Sequence, residues 1–72
     1  MNFGQQDFYA STPDEISKEI ALIYDRSQHG DHYPQGVDNA IAICDQAKNE
    51  NRKLKIHALK TFPKWTWTFS LC

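Results

Sequence analysis

Cysteine is nearly missing from this chain: Cys44 and Cys72 are the only two in 72 residues. Two cysteines make no dense disulfide framework, and their separation matches no zinc-binding spacing. Long apolar runs are missing too. No stretch reaches the 18 or so residues of a membrane-spanning helix, and Met1–Ala10 lacks the basic-then-apolar order of a secretory signal. A cytoplasmic, reducing location with no membrane attachment is therefore the expectation. Cys44 falls at a helical core position and reads as a small buried hydrophobe, and Cys72 as an exposed terminal thiol.

The motifs of catalysis are absent as well. There is no Gly-rich phosphate loop, no nucleophile elbow and no paired helix histidines. Ser11, Ser17, Ser27, Cys44 and the histidines share no recognisable arrangement. A chain this short has little room for a water-excluding pocket. The expectation is a protein that is not an enzyme and carries no cofactor. His29, Asp31 and His32 sit within four residues and could begin a metal site, but no fourth ligand accompanies them. They read as loop polars, with Asp31 or a neighbour capping the next helix.

What the chain does have is charge, sorted along its length. Residues 1–47 carry eight carboxylates against Lys18 and Arg26, a formal −6. Residues 48–72 carry six cations against Glu50, a formal +5. The near-neutral total of −1 hides two opposed fields, and such fields speak to partners and association rates.

The 40% hydrophobic and 12% aromatic content favours one folded domain over residues 1–72. Thr12-Pro13-Asp14-Glu15 forms a capping box with proline at the first helical position. Ile16, Ile20, Ile23 and Tyr24 follow at helical spacing, so helix 1 is expected at about 13–27. Gly30 offers a positive-φ stop. Tyr33, Val37, Ala40, Ile41, Cys44 and Ala47 form a second stripe, and helix 2 is expected at about 34–50. The period then falls to two. Leu54, Ile56 and Ala58 alternate with polar residues, as do Trp65, Trp67, Phe69 and Leu71. These are strands at about 54–60 and 65–71. A four-residue loop, Thr61–Lys64, pairs Lys60 with Trp65, Ala58 with Trp67, Ile56 with Phe69 and Leu54 with Leu71. The fold class is α+β: two helices on a small antiparallel sheet made of a C-terminal hairpin and, around Asp7–Ala10, an N-terminal third strand.

Two binding readings follow. The first is a small inhibitor or regulator that occludes a basic surface on another protein. Asp14, Glu15, Glu19, Asp25, Asp31 and Asp38 would supply the charge, and Tyr33 or Tyr9 an exposed aromatic anchor. The format suits a phage or mobile-element inhibitor, or an immunity protein. The second is a nucleic-acid-binding regulator that uses Arg52, Lys53, Lys55, Lys60 and Lys64 with Trp65 and Trp67 nearby. A pI near 6.2 weighs against the second. A homodimer is the third partner expectation, either head to tail through the opposed charges or through hairpin edges paired across a two-fold axis.

Overall fold

A computed structural model describes residues 4–61 and 64–72, the side chain of residue 61 excepted. Five elements follow one another: β1 (Gln5–Ala10), α1 (Pro13–Gln28), α2 (Val37–Asn49), β2 (Leu54–Thr61) and β3 (Lys64–Leu71). The strands form one antiparallel sheet in the order β1-β2-β3. Both helices cover one of its faces. The α+β expectation holds, and the N-terminal strand joins the sheet.

Helix α1 starts where its capping box stands. Thr12 Oγ1 accepts from the Glu15 backbone N–H at 3.2 Å, and Glu15 Oε1 accepts from the N–H groups of Thr12 and Ser11 at 3.1 and 3.0 Å. The Ser11 bond, with those from Thr12, holds the Glu15 carboxyl below its ordinary 4.5. Thr12→Ala is expected to cost about 1 kcal/mol in a urea titration at neutral pH. A depressed folded-state pKa gives stability that is present above the unfolded value and lost as pH falls through the folded one. Below about pH 4.5 the wild-type chain should therefore lose this contribution, and the acid limb of Glu15→Gln should be shallower. Equal limbs in both proteins would show that the cap is not formed.

The helix ends at Gln28 with His29 as its C-cap, and Gly30 follows at φ 91°. Helix α2 begins at Val37, three residues later than the apolar stripe suggests. Gly36 stands before it at φ 90°, a conformation that the helix cannot absorb and that glycine tolerates. The Gly36 N–H closes a turn onto the Tyr33 carbonyl at 2.8 Å. Tyr33 and Pro34 thus belong to the connection and not to the helix.

The core lies between the helices and one face of the sheet. Ile16 and Ile23 of α1 meet Leu54 and Ile56 of β2 and Phe69 of β3, all at 2% exposure or less. Burying each such side chain is worth about 1.5–3 kcal/mol. Helix α2 turns Ala40, Cys44 and Ala47 inward, each fully buried. Small side chains at that spacing let its backbone come close. Burial pushes the Cys44 thiol up to about 12, so it is neutral and unreactive at physiological pH.

The β2–β3 register is the expected one, from Leu54↔Leu71 through Ile56↔Phe69 and Ala58↔Trp67 to Lys60↔Trp65. Pairing runs one step further, to Thr61↔Lys64, so the strands continue into the expected four-residue loop. Residues 62 and 63 of that loop lie outside the described residues. Strand β1 pairs with β2 from Gln5↔Leu59 to Ala10↔Leu54. Only Ala10 of that strand is buried, which is why its apolar pattern is weak.

Candidate protein-binding surface

The helix layer and the sheet layer differ in net charge. Helices α1 and α2 carry Asp14, Glu15, Glu19, Asp25, Asp38 and Asp45 against Lys18, Arg26 and Lys48. The strands carry Lys55, Lys60 and Lys64 against Asp7. The folded molecule keeps the polarity of the sequence as an acidic helix layer and a more basic sheet layer.

The expected acidic residues divide by what each carboxylate already does. Asp14, Asp25 and Asp38 are exposed, as is Asp45. No ion pair among the described residues neutralises any of the four. Glu15 is exposed but committed to the helix cap. Glu19 is half-buried and lies 3.4 Å from Arg26. That guanidinium also stacks over the Trp67 ring, 3.8 Å from its centroid. Asp31 is turned inward as well. Its Oδ2 accepts from Trp67 Nε1 at 2.9 Å, and its Oδ1 faces the Trp65 N–H at 3.5 Å. Asp31 thus fixes β3 rather than capping α2, which has no side-chain cap. His29 makes a 2.8 Å contact from Nδ1 to the Asp25 carbonyl oxygen.

Tyr33 corrects the expectation of an exposed anchor there. It is only 7% exposed and stacks on Phe69 with ring centroids 6.2 Å apart. Its hydroxyl is buried without a hydrogen-bond partner among the described residues. Burial pushes the phenol up, opposed by the nearby Arg26 charge. Tyr9, by contrast, is 49% exposed.

The helix layer offers anchors that the sequence stripe concealed. Tyr24 is 55% exposed and Leu22 37%. Its spacing from Ile20 sets Tyr24 on the apolar stripe. At 100° per residue it stands about 80° round the helix from Ile16, which puts it on the stripe's rim. That angle is the sequence signal that distinguishes it from Ile23.

The five cations of the nucleic-acid reading stand in different settings. Arg52 is held by Glu50 at 3.3 Å and by the Cys72 carbonyl at 3.0 Å. Lys53 sits over the Tyr9 ring at 4.6 Å, and Lys60 over Trp65 at 5.6 Å on the helix side of the sheet. Lys55 lies on the uncovered face beside Tyr9, and the Lys64 ammonium reaches toward Gly30. The tryptophans face the helices: Trp67 is 8% exposed and stacks on Trp65 with centroids 5.8 Å apart.

The hairpin edges are not free either. Beyond β3 the chain from Asp31 to Gln35 lies alongside as a short parallel stretch, bridged at His32↔Thr66. The His32 N–H donates to the Trp65 carbonyl at 2.8 Å, and the Trp67 N–H to the His32 carbonyl at 2.9 Å. The Gln35 side-chain amide serves Phe69 in the same way, donating to its carbonyl at 2.8 Å and accepting from its N–H at 2.7 Å. Within the sheet β2 is central, and the Asp31–Gln35 stretch runs along the outer side of β3.

No helix among the described residues is long and apolar enough to cross a membrane. In comparisons with known proteins, the chain matches no family model, no curated protein and no solved structure.

Proposed function

We propose that this protein is a small non-catalytic binder whose helix layer occludes a basic surface on a partner protein, in the manner of an inhibitor or immunity protein. One observation carries the reading. Asp14, Asp25 and Asp38 are exposed, with no ion-pair partner among the described residues, on the same layer that exposes Tyr24 and Leu22. Uncompensated charge of one sign steers an oppositely charged partner and raises the encounter rate. An exposed tyrosine on that layer provides the contact that slows dissociation, because a large, stiff aromatic loses little entropy on docking.

The two contributions separate experimentally. The partner is captured from the native host on immobilised protein, identified, and its binding kinetics measured. In Asp14→Lys/Asp25→Lys/Asp38→Lys the association rate should fall by about tenfold or more, with a weaker dependence on salt. Tyr24→Ala should leave association nearly unchanged and speed dissociation by about 30-fold, as for the loss of an interface hot spot of about 2 kcal/mol. Unchanged association in the triple variant would dispose of the electrostatic reading.

A further inference from the structure

We infer that two copies of this chain join through their β1 strands, antiparallel about a two-fold axis, into a continuous six-stranded sheet. The hydrogen-bond pattern shows which backbone groups are available. The Lys60 N–H donates to the Gly4 carbonyl at 2.9 Å. In the β1–β2 register, Gln6, Phe8 and Ala10 then also point their backbone groups at β2. Gln5, Asp7 and Tyr9 point theirs outward, where no backbone partner stands among the described residues. The sheet's other edge is bridged by Asp31–Gln35, so β1 is the open edge among the described residues. An open edge is a template for another strand. Beside it lie Phe8 and Tyr9, 43% and 49% exposed.

A second copy fits this edge better than an unrelated strand does, because the pairing closes on itself. Among the described residues each protomer has one open and one covered edge. Joining the open ones leaves none, and assembly stops at two.

Side chains choose the register. Pairing Asp7 with Asp7 of the other copy would set like charges directly opposite, which is unfavourable. Shifting by one residue in each chain opposes Asp7 to Tyr9, and Phe8 to Phe8 at the two-fold axis. Phe8 lies on the helix side, where it already touches Trp67 with ring centroids 6.5 Å apart. Its partner would extend that aromatic row. On the uncovered face each Asp7 then lies between its own His57, at 2.6 Å, and the other copy's Tyr9, with that copy's Lys55 one strand further. Each carboxylate is thus flanked by His57 on one side and by Tyr9 on the other, with a lysine beyond the tyrosine. The helix layers stay uncovered, so this pairing and the occlusion of a partner stand or fall separately.

The test is sedimentation of the full chain across a concentration series, with amide exchange in parallel. A dimer should form, and the Gln5, Asp7 and Tyr9 amides should slow by about tenfold or more as it does. Tyr9→Pro removes one outward N–H while leaving the β1–β2 bonds intact, and it should be folded and monomeric. Phe8→Cys in a Cys72→Ser background reads the register independently. Residues facing each other at a non-hydrogen-bonded position have Cα atoms about 4.5 Å apart, within disulfide reach, so oxidation should cross-link two chains. A monomer at every concentration overturns the proposal, as does a dimer that Tyr9→Pro leaves intact. Cross-linking through Asp7→Cys in place of Phe8→Cys overturns the register.

Discussion

Phe69→Ala is expected to lower stability by about 3–5 kcal/mol and to drop the thermal midpoint by at least about 12 °C. Phe69 is 1% exposed at the middle of β3, opposite Ile56 and stacked on Tyr33. Truncation removes the apolar transfer energy and leaves a hole that the sheet is too stiff to fill. Tyr33 loses its stacking partner at the same time, although its own hydroxyl is already unpaired. Domains hold about 0.05–0.15 kcal/mol per residue, so a chain this short has only about 4–11 kcal/mol in all. The single truncation thus removes about a quarter of that or more, and at the lower end the variant is largely unfolded at 37 °C. Urea titrations of Phe69→Ala and Phe69→Leu separate volume from shape, since the leucine variant keeps most of the filling and should cost less. A loss under about 1.5 kcal/mol for Phe69→Ala would mean that the core does not centre on this ring.

That ring could be placed from the sequence because period-two alternation fixes which residues share a face. Once the loop was centred on Thr61–Lys64, small residues fell opposite large ones, and the observed register from Leu54↔Leu71 to Lys60↔Trp65 followed. The capping box located α1 in the same local way. Non-local contacts were not legible. Tyr33 extends the α2 stripe at a perfect spacing, but Gly36 at φ 90° breaks the helix between them. Asp31 and Gln35 look like ordinary loop polars, and their partners lie more than thirty residues away on β3. The candidate site was half legible for a related reason. Charge order along the chain survives folding because whole elements carry it. Whether one carboxylate is spent on a cap, an arginine or an indole depends on neighbours that no spacing reveals.

Gln35 is the place where such a hidden contact should matter most. Its amide stands in for a peptide group of a fourth strand, meeting both backbone groups of buried Phe69. Gln35→Ala leaves an N–H and a C=O without partners beside the core, at about 1–3 kcal/mol. It also bares part of the β3 edge, so the variant should aggregate sooner during thermal unfolding. Gln35→Glu gives the sharper result. The introduced carboxylate still accepts from the Phe69 N–H but sets a second oxygen against the Phe69 carbonyl. Only the protonated acid can donate there, so folding raises its pKa above the unfolded value of about 4.3. The sign follows from linkage: the protonated form's advantage is complete below that value and is lost as pH rises through the folded pKa. The stability gap between Gln35→Glu and the wild-type chain should therefore be small near pH 3–4 and widest at neutral pH, read from paired urea titrations. A gap independent of pH would show that the side chain does not cap the edge of β3, and the closure of that edge by Asp31–Gln35 would lose its strongest pair of bonds.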